Sequence, residues 1–282
     1  MIDAHQHVWR IGANGCDWPT PAEGAIFRDY GLDDFRAKAL PLGVRRTVLV
    51  QSQEDDRDTN WLLELAAAND IVAAVIGWTD FAAPDAPAHI IALASDRKLA
   101  GLRPMVQDRA ADWYDDPALG RAFTTMAEHD LRLDALVRPR HLAALDRLAG
   151  RLPDLGIVID HGAKPRIAES GGFARWHEAI APLAERPNVW CKLSGLLAEC
   201  AGAPPEAIGP YVEAMLALFG PQRLMWGSDW PVLETAAGYG DWLALARRLF
   251  PAVHHDDIFE RTAERFYRIE AEAMVPAGGT RP

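Results

Sequence analysis

Gly156-Ile157-Val158-Ile159-Asp160-His161-Gly162-Ala163-Lys164-Pro165 is the stretch from which the fold is read. An unbroken apolar run suits a strand covered on both faces, as strands of a parallel sheet are. The run ends on an acid and an imidazole, and a glycine opens the loop beyond. Short β-branched or apolar runs recur along the chain and predict strands near 2–8, 46–52, 72–78, 99–105, 131–137, 156–161, 188–194 and 224–229. Helical spacing fills the intervals at Thr59–Asn69 (Thr59 as its cap), Ala118–His129, His141–Arg151, Phe173–Glu185, Pro210–Phe219 and Asp241–Phe250. Strand starts recur about every 32 residues, the length of a βα unit. Eight such units predict an α/β chain closed into a (β/α)8 TIM barrel, a single domain over residues 1–275 with a frayed tail at 276–282. An open doubly wound sheet is the alternative. No GxGxxG follows the first strand and no Walker loop occurs, which removes its nucleotide-binding versions.

The chain has 282 residues, 49% of them hydrophobic and 24% charged, the make-up of a globular protein. Its formal charge of −11 argues against nonspecific binding to nucleic acid or to anionic membranes. No apolar run reaches the length of a membrane span, and Met1–Trp9 has no signal-peptide pattern. Three cysteines, Cys16, Cys191 and Cys200, form no CxxC pair, which points to a reducing, cytoplasmic setting. The expected partner is a small molecule, and self-association into a homo-oligomer stays open.

Parallel barrels carry their sites at the C-terminal ends of the strands. Asp3, His5 and His7 alternate along the first strand and are expected on one face. His5 and His7 form a pair able to hold one divalent metal or two oxygens of one ligand, though a bare HxH also reads as two polar residues entering a loop. Asp160-His161 closes the sixth strand. Trp226-Gly227-Ser228-Asp229-Trp230-Pro231 closes the eighth, with Gly227 permitting close backbone approach. Barrel closure sets the eighth strand beside the first, so Asp229 is expected next to His5 and His7, with His161 two strands away. Arg103 and Lys192 fall at two further strand ends, and Arg138 and Arg140 follow the fifth. The connection Arg10–Phe35, rich in glycine and proline, reads as a lid or rim loop over this face. No GxSxG elbow supports a serine hydrolase. His89, His129, His141 and His177 sit in helix-like stretches and read as surface or packing residues.

Taken together, Ile2–Trp9, Gly101-Leu102-Arg103-Pro104, Leu136–Leu142, Asp160–Pro165, Lys192-Leu193-Ser194-Gly195-Leu196 and Trp226–Pro231 resemble the amidohydrolase superfamily. More narrowly they resemble its "amidohydrolase 2" branch of sugar and dicarboxylate lactonases. The resemblance implies a hydrolase of the lactonase type acting in sugar-acid catabolism, with His5, His7, His161 and Asp229 as the polar set and Arg103 and Lys192 holding substrate. It favours a sugar-acid lactone. The alternatives are a dicarboxylate lactone of pyrone or muconolactone type, a metal-dependent decarboxylation, and a noncatalytic ligand-binding barrel. Many superfamily members bridge two metals with ligands from strands 4 and 5. Here those strands end in Arg103 and in Val137-Arg138. That departure implies one divalent ion, zinc by its ligands His5, His7 and Asp229, or none. In the expected reaction Asp229 is the general base, and Gln51, Trp78, Asp80 and Trp230 bind hydroxyls or stack on sugar C–H faces.

Overall fold

Eight parallel strands run in sequence order around one sheet in the computed structural model, which describes residues 1–270. They are β1 (Ile2–Gln6), β2 (Arg46–Val50), β3 (Val72–Gly77), β4 (Leu99–Leu102), β5 (Arg132–Ala135), β6 (Ile157–Ile159), β7 (Val189–Leu193) and β8 (Leu224–Trp226). Each expected strand is present, and each ends one to three residues earlier than the apolar pattern suggested. The surplus residues, His7, Asp160 and Asp229 among them, have left the ladder and turn into the site. The helices are α1 (Leu32–Ala39), α2 (Asp56–Ala67), α3 (Ala86–Leu93), α4 (Gly120–Glu128), α5 (Leu142–Arg151), α6 (Gly172–Ala184), α7 (Gly209–Phe219), α8 (Tyr239–Leu249) and α9 (Thr262–Tyr267). The order is that of a (β/α)8 barrel. The tail expected at 276–282 lies outside the described residues.

Closure is made by backbone beyond β8. His7 N donates to Trp230 O at 2.7 Å, and Asp229 N donates to His5 O at 2.8 Å. A Cβ on Gly227 would stand 2.6 Å from His5 Cβ and 2.9 Å from His5 N. Only glycine lets the last strand approach the first this closely.

Two apolar layers hold the barrel. Its interior packs Ile2, Ala4, Val48, Val50, Ala74, Ile76, Val158 and Met225, and a larger layer lies between strands and helices. Along β2, Val48 and Val50 face inward while Leu49 faces the helices, the period-2 alternation of a strand.

Several boundaries differ from the sequence reading. α2 begins at Asp56, capped by Asp55, whose side chain accepts from Arg57 N at 2.8 Å. Its polar first turn hides it from an apolar periodicity. Thr59 is no cap: its hydroxyl accepts from Trp78 N at 2.8 Å and donates to Trp78 O at 2.9 Å, holding the end of β3. Arg10–Phe35 is not one open loop. It contains a 3-10 helix at Pro21–Ile26, and Phe35 already lies inside α1.

Candidate functional site

The site grows from an irregularity in β1. The register between β1 and β2 shifts between Asp3 and Gln6, as at a β-bulge, and a bulge re-aims side chains. Asp3, expected beside His5 and His7, therefore points elsewhere. It accepts from Ser228 N at 2.8 Å and from Tyr239 Oη of α8 at 2.9 Å. His5 and His7 turn into the barrel mouth together, their Nε2 atoms 3.2 Å apart.

Asp229 faces them from beyond β8. Its Oδ1 lies 3.3 Å from His7 Nε2, 3.7 Å from His5 Nε2 and 3.9 Å from His161 Nε2. Asp229 and His161 both occupy the left-handed backbone region, at φ 60° and 54°, which costs a non-glycine residue about 1 kcal/mol or more. Behind His161, Ser194 Oγ is 2.8 Å from Nδ1. A Cβ on Gly195, itself at φ 63°, would sit 2.5 Å from that nitrogen. His7 Nδ1 is 2.8 Å from the carbonyl of Val50. A carbonyl only accepts, so the proton sits on Nδ1 and the Nε2 lone pair faces Asp229.

Burial dominates the electrostatics. It lowers the His161 pKa from 6.5 to about 4 against the opposing pull of Asp229. Burial also lowers His5 well below the usual imidazole range, and the Lys192 charge adds to this. For Asp229, burial acts upward, but the surrounding imidazoles, His161 first, overcome it and hold the carboxyl well below the carboxylate range. At neutral pH Asp229 is therefore a carboxylate and His5 and His161 are neutral imidazoles.

These four side chains suit a divalent metal. Tetrahedral zinc, with bonds near 2.0–2.1 Å, needs ligand atoms about 3.3 Å apart. The observed separations of 3.2, 3.3, 3.7 and 3.9 Å lie around that value, and His5, His161 and Asp229 form a cluster close enough to hold a metal ion. A second cluster, His5, Asp134 and Asp160, lies deeper. There the Lys192 ammonium already stands 3.1 Å from His5 Nδ1, 3.2 Å from Asp160 Oδ1 and in contact with Asp134.

A cavity of about 530 Å³ opens above this floor. His7, His161, Asp229 and Arg103 line its base, with Trp18, Met105, Leu136 and Val232 as apolar wall. Its rim carries Asp17, Glu54, Asp55, Asp108 and Lys164. The rim segment around Trp18 is tied down by Gln53, whose amide oxygen accepts from Asp17 N and Trp18 N and whose nitrogen donates to Trp18 O at 2.7 Å.

Not every expected residue reaches this cavity. Arg103 does, with a guanidinium nitrogen 3.4 Å from His5 Nε2 and 3.5 Å from Asp160 Oδ2. Lys192 does not: it is wholly buried beneath His5, because the inward face of β7 points it into the barrel rather than out of the mouth. Gln51 is also buried, donating to Arg103 O at 2.8 Å. Trp230 is enclosed by Tyr30 and Phe35 and donates its indole N–H to Glu234. Trp78 and Asp80 line a separate small depression with Arg109 and Trp113. Arg138 and Arg140 line another, beside Lys164 and Arg175. Gln53 and the acidic rim escaped the sequence reading. They lie on loops, where no periodicity marks a direction. Lys164, quoted in the motif, carried no assigned role.

A barrel whose strand ends converge two β1 histidines, a β6 histidine and a β8 aspartate is an amidohydrolase type of site. The amidohydrolase family model matches residues 2–269, and the chain belongs to that family. It is 48% identical over 279 residues to an L-fucono-1,5-lactonase of Burkholderia ambifaria, covering 95% of this chain and 96% of that one. An L-fucono-1,5-lactonase of Burkholderia multivorans is 34% identical over 288 residues, 96% of this chain and 97% of that one. A crystal structure of an amidohydrolase from Burkholderia multivorans with bound zinc superposes with a TM-score of 0.89 at 35% identity, over 95% of this chain and 99% of that one.

Proposed function

We propose that this chain is a lactonase that opens a sugar-acid lactone of the L-fucono-1,5-lactone class to the free acid. The observation that carries the reading is Asp229, ringed by His5, His7 and His161 at the base of the cavity, in a chain so similar throughout to a fuconolactonase. Asp229 takes a proton from a water as that water's oxygen bonds to the lactone carbonyl carbon. The ring C–O bond then breaks, and the departing ring oxygen receives the proton from Asp229. A carboxylate held this far below its usual range is a weak base, so its contribution rests on position more than on basicity. Arg103 and the His161 ring stand where a growing negative charge on the carbonyl oxygen is stabilised. Zinc, held by His5, His7, His161 and Asp229, would supply Lewis acidity at this point.

The rim offers no surplus of cations to a carboxylated ring. Of the acids lining the cavity, Glu54, Asp55 and Asp108 are paired with Arg109, Arg57 and Arg138, which leaves Asp17 and Asp229 beside Arg103 and Lys164. A charge-balanced aperture gives an anionic substrate no electrostatic advantage over a neutral one. Arg138 and Arg140, the residues that would have argued for a dicarboxylate, lie outside this cavity. The three unpaired and buried cysteines fit a cytoplasmic enzyme of sugar-acid catabolism. The deciding measurement is kcat/KM for a panel of aldonolactones beside pyrone and muconolactone carboxylates, followed by acid release. Preference for the carboxylated lactones would overturn the substrate class, and carbon dioxide as product would overturn hydrolysis.

A further inference from the structure

The interior of the barrel below the site is mostly aliphatic, yet three ionisable side chains interrupt it. Asp134 of β5, Asp160 beyond β6 and Lys192 of β7 are all fully buried. A buried ion pair adds little net stability over apolar residues of similar shape, so packing alone does not account for them. Their contacts do.

Lys192 Nζ donates to Asp134 Oδ2 and stands 3.2 Å from Asp160 Oδ1 and 3.1 Å from His5 Nδ1. Asp134 also accepts from Tyr267 Oη, at 2.9 and 3.1 Å from its two oxygens. Tyr267 is the last residue of α9, which covers the opposite, N-terminal mouth of the barrel. Arg46 of β2 binds Glu264 at 2.6 Å, and Arg132 of β5 donates to Phe266 O at 2.7 Å, tying that helix to the strand starts.

We propose that α9 is a positioning element for the site, with Tyr267 acting through Asp134 and Lys192 to set the His5 ring from the far end of the barrel. Tyr267 orients the Asp134 carboxylate, which fixes the end of the long Lys192 side chain. Lys192 pairs with Asp160, whose Oδ1 is 3.3 Å from His5 Nδ1, and a proton kept on Nδ1 toward that carboxylate leaves His5 Nε2 free to hold zinc. The proposal rests on the reading of His5 as part of the lactone-opening, zinc-holding floor.

The test compares the full-length parent with Tyr267→Phe and with Thr262→Ala. Thr262 belongs to the same helix but donates to Pro221 O at 3.0 Å, away from the chain of contacts. Tyr267→Phe keeps the ring's volume, and zinc affinity, from competition with a chromophoric chelator, falls about tenfold or more, as for other outer partners of metal ligands. In the same variant kcat falls by a similar factor while KM moves less than about twofold. The ring-nitrogen NMR signals of His5 also shift in the zinc-free protein. Thr262→Ala lowers Tm and leaves all three readouts in place. Parent-like zinc affinity, kcat and His5 signals in Tyr267→Phe would overturn the proposal. So would equal changes in Thr262→Ala, which would mark general loosening. A parent that opens no lactone would refute the proposed function instead, because the His5 signals report positioning without turnover.

Discussion

Acidifying the zinc-free protein exposes the cost of keeping His161 neutral. Its imidazole titrates at 6.5 in an unfolded reference and near 4 in the folded chain, chiefly through burial. Between those values the unfolded chain binds more protons than the native one. This contribution to stability is therefore complete above pH 6.5 and is lost as pH falls toward 4. At one pKa unit per 1.36 kcal/mol, the loss between pH 8 and pH 5 is about 2 kcal/mol, approaching about 3 kcal/mol below pH 4. The perturbation is His161→Asn, which stays neutral throughout and places an amide near Ser194. Urea unfolding followed by tryptophan fluorescence, on chelator-treated parent and variant at a series of pH values, isolates the term. Because His161 itself helps hold the Asp229 carboxyl down, both proteins carry Asp229→Asn, which removes that coupled titration and only lowers the His161 imidazole further. The stability gap between the two should narrow, or move in favour of the variant, by about 2 kcal/mol from pH 8 to pH 5. A gap that does not change with pH would refute a neutral, burial-depressed His161.

Asp229→Asn should keep the fold by circular dichroism and lower kcat by roughly 10²–10⁴, the range for loss of a positioned general base; near-parent turnover would remove Asp229 from that role. Elemental analysis after exposure to zinc should find one ion per chain, because the Lys192 ammonium already fills the deeper cluster; two tightly held ions would contradict this. Gly227→Ala should destabilise by about 1–3 kcal/mol and weaken zinc binding, since its methyl has no room beside His5; thermal melts and chelator competition measure both effects.

The eight strands, their order and the polar residues at their ends were legible in the chain. A buried parallel strand must be apolar, and its C-terminal end is where the pattern breaks. Local patterns also placed His5, His7, His161 and Asp229 at strand ends, and closure of an eight-strand barrel sufficed to bring them together. The helix starts were less legible. α2 opens on Asp56-Arg57-Asp58, whose charges carry no apolar period, and its cap is Asp55.

What alternation along a strand misjudged was direction. It set Asp3 on the face of His5, but the bulge in β1 sends Asp3 to Tyr239 and His5 to the mouth. Strand-end position and the family resemblance made Lys192 and Gln51 substrate contacts, whereas both are buried behind the cavity floor. Cationic and amide side chains read alike whether they meet a ligand or a buried partner, and the partners here lie far apart in sequence. Asp134 meets Lys192 across 58 residues and Tyr267 across 133. By itself the sequence determined the fold and the four residues of the floor, because these follow from local periodicity and strand-end chemistry, and its ordered motifs carried the family resemblance. Only the tertiary structure decided which charges face the cavity and which stand behind it, because that depends on bulges, strand register and contacts between distant segments.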